Sequence, residues 1–371
     1  MSDQNMNCLP VPTWNRCGVN HAPAAAVLPE VSGDDWGEAN IAFTLPAGVG
    51  EAETDFAAFS ESGMGAQTDT WLLENATVRH ALNATVRHAL TVAEHTKVNE
   101  PALFEATLDA AHPNALSILS VDAGADSELT VVQVVRGDAE NGIAASLTRI
   151  RAGENAHVKL VQVQLLGDKA RRWNAVAIEE EKNAHVEQVR IELGGLLSAC
   201  GAKAQLSASK SEYDLDAVYF GSGDAVLDYN DVSVHTAKDT LCEMHTAGVL
   251  TGRADKILRG TIDFRRGAKR GVGHESEDVL LFSPAARNRT APLILCGEEE
   301  VEGQHAASIG RLDEGKLYYL RSRGLTEAQA RRLMVDARFA PVIEKIPLEA
   351  LREEVRDAAA RRLDDAESVD Q

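Results

Sequence analysis

Short alternations of apolar and polar residues run through the middle of the chain: Leu116–Val121, Leu129–Val135, Val158–Leu165 and Val186–Leu193. A period of two sends one set of side chains inward and the other outward, as in β-strands. The runs also recur. G-E-N-A-H-V-K-L-V-Q-V (Gly153–Val163) and E-K-N-A-H-V-E-Q-V-R-I (Glu181–Ile191) share N-A-H-V at a spacing of about 28 residues, and G-A-D-S-E-L-T-V-V-Q-V (Gly124–Val134) precedes them by about the same interval. Strands repeating at a fixed period between Gly, Asn and Asp turns predict a solenoid, because no single rung can bury its apolar face alone. Helical repeats would need a stretch of period-3.6 pattern in each unit, and none is present. The expected fold is therefore mainly β, a right-handed parallel β-helix (β-solenoid) flanked by N-terminal and C-terminal helical segments. The open ends of its coil need covering, and those two segments are the natural caps.

The pattern changes at both ends, which predicts three units: 1–95, partly helical or irregular; 96–310, the β-helix; and 311–371, helical. Residues 1–60 carry Pro10, Pro12, Pro23, Pro29 and Pro46. Residues 75–90 repeat N-A-T-V-R-H-A-L twice. Val78, Leu82, Val86 and Leu90 fall at i, i+4 spacing and suit a helix, although the β-branched content also allows a strand; His80 and His88 recur only because the unit does. After Gly324, Thr326 with Gln329 forms a capping box for a helix with Ala330, Leu333 and Met334 on one side. A second helix begins near Pro347, with Leu348, Leu351, Val355 and Ala358 on one face, and an acidic tail follows from Asp364.

Composition narrows the classes of function. The chain has 371 residues, 44% hydrophobic and 25% charged, with a net charge of -20. An acidic surface repels phosphate backbones, so no nucleic-acid partner is expected. No run reaches the ~18 apolar residues of a membrane span. No basic, apolar-cored leader is visible either, so no membrane association is expected. Five scattered cysteines without CxxC suit a reducing cytoplasm. No Walker A or dinucleotide-binding glycine pattern appears, so the chain is not expected to bind ATP or NAD.

Three clusters could carry chemistry. Asp214, Asp216, Asp224, Asp228 and Asp231 crowd one stretch, which on a β-helix could mark the acid/base groove of a polysaccharide-active enzyme. His235, Cys242 and His245 form H-x6-C-x2-H, three metal-ligand types without a fourth. The third lies in Pro292–Leu325: a thiol, Cys296, and an imidazole, His305, separated by an acidic loop that ends near Glu302. Gly297, Glu298–Glu300 and Gly303 provide a turn, so Cys296 and His305 could stand on adjacent strands or rungs; a strand spacing of about 4.8 Å would bring them within reach of one metal. Cys8 and Cys17 have no third ligand nearby, and Cys200 reads as a small packed hydrophobe.

G-Q-H-A-A-S-I-G-R-L-D (Gly303–Asp313), L-Y-Y-L-R-S-R-G-L (Leu317–Leu325) and A-G-V-L-T-G-R-A (Ala247–Ala254) resemble the SufB/SufD family of iron–sulfur cluster assembly scaffolds. The chain is similar to a divergent SufD-like member from about Ala115 onward. Gly303 stands where SufD forms have a cysteine, and Ala306 where SufB forms have a glutamate. Cys296, four residues after Pro292, sits at the SufB-type cysteine offset. The resemblance implies a cytoplasmic, non-catalytic scaffold that holds a transient iron–sulfur cluster or iron at a subunit interface, with Cys296, His305 and Glu302 as the candidate ligands. It further implies two partners. A SufC-type ABC ATPase would dock on the C-terminal helices through Leu348, Leu351 and Val355. A SufB-type subunit, or a second copy, would pair through the β-helix near Leu280–Ile294. The alternatives are a bracing module that has lost cluster chemistry and, remotely, the β-helix polysaccharide enzyme.

Overall fold

The computed structural model describes residues 5–13, 17–23, 40–52, 87–311 and 314–369. The duplicated unit falls outside the described residues up to position 86, and the expected N-terminal helices find no counterpart within them. The second copy ends in a strand, β5 (Arg87–Val92).

A hairpin of β1 (Asn5–Met6) and β2 (Ala22–Pro23) precedes two nine-stranded sheets. One sheet contains β3 (Ile41–Thr44), β6 (Ala102–Leu108), β8 (Glu128–Gly137), β10 (His157–Leu166), β12 (His185–Leu193), β14 (Glu212–Gly221), β16 (Leu241–Leu250), β18 (Gly271–Leu281) and β20 (Val301–Arg311). The other contains β4 (Val49–Ala52), β5, β7 (Asn114–Ala123), β9 (Ile143–Ala152), β11 (Arg171–Glu180), β13 (Leu197–Leu206), β15 (Val226–His235), β17 (Asp255–Phe264) and β19 (Arg287–Cys296). The chain crosses from sheet to sheet at each half turn and makes about eight turns of a parallel β-solenoid. Three helices follow: α1 (Glu314–Ser322), α2 (Glu327–Ile343) and α3 (Glu349–Val369).

The repeat has a backbone cause. Asp126, Asn155 and Asn183 all take positive φ (53°, 58° and 54°), which short polar side chains tolerate best. Their side chains also form a ladder along the turns: the Asn155 amide donates to the Asp126 carboxylate at 2.9 Å and the Asn183 amide to Asn155 Oδ1 at 2.9 Å. Each such turn returns the next strand to register, so His157 lies opposite His185 and Val158 opposite Val186.

The interior is apolar in one half, where Leu129, Val158, Val186, Tyr213, Cys242, Ile262 and Phe264 belong to one cluster. Elsewhere it is polar and partly paired, although among the described residues both Glu180 carboxylate oxygens and the Tyr229 hydroxyl find no partner. Gln133, Gln162 and Asn174 exchange amide hydrogen bonds, and Arg190 grips Asp231 with two bonds of 2.7 and 2.6 Å. Lys256 pairs with Glu277, which also accepts from Tyr219 at 3.0 Å.

The two flanking segments differ: part of the N-terminal one lies at the end of the coil as a cap should, and the C-terminal helices lie along its side. At the first turn, β3 and β4 reverse direction and pair antiparallel with β6 and β5, and these four-residue strands close that end. The β1–β2 hairpin lies along the outside of the second sheet: Leu9 and Val19 pack on Ile257 and Ala291, and Asn7 and the Val19 carbonyl meet Asp228 and Arg259. The C-terminal helices flank the first sheet. Val335, Phe339, Val342, Ile343, Leu351, Val355 and Leu363 share a cluster with Val161, Val163, Val189, Ile191 and Val249. Val161, Val163 and Val189 lie on outward rows, and this apolar band is what the helices cover. Ion pairs from Arg136 to Glu354 (2.7 Å) and Arg338 to Asp278 (3.2 Å) pin them. Among the described residues no helix is long and apolar enough to cross a membrane.

Candidate functional site

At the last turn nothing described covers β20. Every residue from Glu302 to Ile309 is exposed, and β19 is only partly buried. Both strands pair on one side only, β19 with β17 and β20 with β18. The final turn therefore presents two unpaired strand edges and an open mouth between the sheets.

Cys296 and His305 both stand on rows that face this mouth. Cys296 continues the inward row of Phe264, and His305 that of Glu275. Glu302 belongs to the outward row, where its carboxylate accepts from Gln304 at 2.8 Å and lies 3.6 Å from His274 Nε2. The adjacent-strand expectation for Cys296 and His305 is corrected, because β19 and β20 belong to opposite sheets. A Cβ on Gly303 would lie 3.0 Å from Ile294 Cγ2, so Gly303 faces Ile294 across the mouth. From that crossing His305 is two residues along β20, and Cys296 two residues along β19 in the opposing direction. At about 3.3 Å per residue this leaves an offset of roughly 13 Å. Cys296, His305 and Glu302 thus form no compact three-ligand group. A side chain at Gly303, where SufD forms have a cysteine, would press on Ile294 at 3.0 Å and Phe264 at 3.1 Å, and those side chains would have to give by a few tenths of an ångström.

Beneath the mouth lies a carboxyl group that the sequence did not single out. Glu275 is buried, and desolvation, with Asp231 and Glu277 nearby, pushes it up to about 8. Gly260 makes room for it, since a Cβ there would fall 1.7 Å from its Oε1. Thr290 on β19 donates to Glu277 at 2.5 Å and helps tie the last turn to this layer.

The other candidate clusters disperse. Asp228 and Asp231 are buried in ion pairs with Arg259 and Arg190, on opposite faces of β15, and Asp224 pairs with Arg253 at a turn. Asp214 and Asp216 lie on the outer face of the first sheet, so the five carboxylates form no acid/base groove. His235 and Cys242 point inward. Burial holds the imidazole down at about 4 and raises the Cys242 thiol, while His245 faces outward and bonds Ser276 at 2.8 Å. This cannot be one metal cage.

The partner-binding assignment on α3 is also corrected. Leu351 and Val355 are buried in the cluster under the helices, and Leu348 packs partly against it. Their spacing marks a face that the chain's own sheet already occupies. The exposed apolar side chains lie instead on α1 and on the other side of α2: Tyr318, Tyr319 and Leu333.

A parallel β-solenoid of about eight turns, with helices packed along one sheet and an exposed final turn, defines the class of protein by its architecture. The description "SUF system FeS cluster assembly, SufBD core domain" matches residues 107–338, and the chain belongs to that SufB/SufD family. It is 30% identical over 150 residues to the iron–sulfur cluster assembly protein SufD of Bacillus subtilis, covering 40% of this chain and 34% of that protein. It is 27% identical over 288 residues to an iron–sulfur cluster assembly SufBD family protein of Mycobacterium tuberculosis, covering 76% and 72%. A SufBD family protein of Pyrococcus horikoshii is 28% identical over 214 residues, covering 55% and 45%. The chain thus spans about a third of the Bacillus SufD and nearly three quarters of the mycobacterial relative.

Proposed function

We propose that this chain is a non-catalytic, cytoplasmic scaffold subunit of a SUF-type complex, with ATP hydrolysis on a SufC-type ATPase partner. It would pair through its last turn with a SufB-type subunit or a second copy, and iron and sulfide would be held there as cargo. The open final turn carries this reading. Two unpaired strand edges invite sheet extension by another chain, and a thiol and an imidazole face the mouth they frame. One thiolate and one imidazole too far apart to share a metal do not make a cage. They suit a transient cluster completed by donors from the partner. The ATPase would dock on the Tyr318, Tyr319 and Leu333 surface, because Leu351 and Val355 are occupied.

A second reading, a bracing module without cluster chemistry, is favoured by the separation of Cys296 from His305. Anaerobic iron–sulfide reconstitution of wild type, Cys296→Ala and His305→Ala, each with its partner subunits, tests between them. Both substitutions should lower bound iron and sulfide while leaving the assembly intact. Undiminished iron and sulfide in Cys296→Ala would leave the bracing module.

A further inference from the structure

The N-A-H-V repeat does more than set the register. It places His157 on β10 opposite His185 on β12, on the outer face of the first sheet and clear of the helices' apolar band. The two imidazoles stack with centroids 4.9 Å apart and planes 12° from parallel. Both direct Nε2 towards the next outward row, where Glu187 and Asp214 stand. His157 Nε2 lies 2.8 Å from Glu187 Oε1, and His185 Nε2 lies 2.9 Å from Asp214 Oδ2. A ring nitrogen of each histidine and a Glu187 oxygen lie within 4.8 Å of one another. Among the described residues no other set of three or more His, Cys, Asp and Glu side chains meets that condition. All three side chains remain reachable from solvent, at 42%, 29% and 22% exposure for His157, His185 and Glu187.

We propose that His157, His185 and Glu187 bind a divalent first-row transition-metal ion, of zinc or ferrous type, on the outer wall of the solenoid. Two imidazole nitrogens and one carboxylate oxygen are donors such ions accept, with the fourth position left to water. Bond lengths of about 2.0–2.2 Å require donors to approach to roughly 3.4 Å in a tetrahedral site. Side-chain rotations supply that closure, while the paired strands keep the Cα positions fixed. The ion would replace the hydrogen bond between His157 Nε2 and Glu187 Oε1. It would also displace Lys159, whose ammonium lies 3.3 Å from Glu187 Oε2 and acts as a built-in competitor. The site uses neither Cys296 nor His305, so it stands or falls separately from the scaffold reading.

The test uses the full chain carrying Cys17→Ser and Cys296→Ser, which removes the two exposed thiols, after stripping with a chelator. Titration with Co²⁺ followed in the visible, then competition with Zn²⁺, should show one saturable equivalent. His157→Ala, His185→Ala and Glu187→Gln should each weaken it by about tenfold or more, and Lys159→Met should tighten it severalfold. Absence of a saturable equivalent, or equal binding by both histidine variants, would overturn the site and leave the pairs as struts between strands. If a histidine variant fails to fold, modification of the folded parent by diethyl pyrocarbonate decides. Zn²⁺ should protect His157 and His185, read by peptide mass, and equal modification with and without Zn²⁺ overturns the proposal.

Discussion

Single residues explain why motif glycines recur where they do. In A-G-V-L-T-G-R-A, a Cβ on Gly248 would lie 2.0 Å from the Tyr219 ring, whose hydroxyl donates to Glu277. Gly252 has φ +60° and packs on the backbone of Gly223. The motif was legible from sequence, but its reason was not, because that depends on a tyrosine one turn away. The layer around Glu275 yields a pH prediction. Its carboxyl is raised to about 8 from an ordinary 4.5, so folding takes up a proton between those values. Stability from this group is intact below about pH 4.5 and declines as the pH rises towards 8. Glu275→Gln keeps the shape without the titration. Its urea midpoint should exceed that of wild type at about pH 8, and the difference should shrink towards about pH 5. An equal offset at both values would show that Glu275 is not protonated in the fold.

At the scale of elements, the pattern of apolar positions was read correctly and its partner was not. Periodicity identified the buried face of α3, since a helix stripe always shows which side is covered. It cannot show whether the cover is a foreign groove or the chain's own outer strand row. Leu351 at 4% exposure and Val355 at 0% answer that. Leu351→Asp should therefore destabilise the packing of α2 and α3 by about 3 kcal/mol or more, because a charge would enter an apolar cluster. Hydrogen exchange should show α2 and α3 losing protection while β10 and β12 keep theirs; unchanged protection in the helices would contradict the packing described. Strands were the easier case. The asparagine turns fixed their period in the sequence itself, whereas the eight residues between Cys296 and His305 fit either a hairpin in one sheet or an arch between two. Only the pairing of β19 with β17 and of β20 with β18 decides for the arch.

For the whole molecule, the two ends of the solenoid are unequal. The first turn ends in four-residue reversed strands, and the last offers β20 with eleven residues. Ile309, 50% exposed on that strand, gives the edge an apolar contact. The chain purified alone should form a dimer at micromolar concentration, and Ile309→Lys should shift it towards monomer by light scattering. A monomer that also fails to bind a SufB-type partner would remove the interface. The inequality of the ends has a geometric corollary. Head-to-tail stacking, the route by which repetitive β architectures grow into fibres, needs a receptive surface at both poles. Among the described residues only the last turn offers a long unpaired edge, so joining through it would be self-complementary and would consume both open faces at once. Growth would then halt at a pair related by a two-fold axis, and the net charge of -20 on each chain would keep such pairs apart.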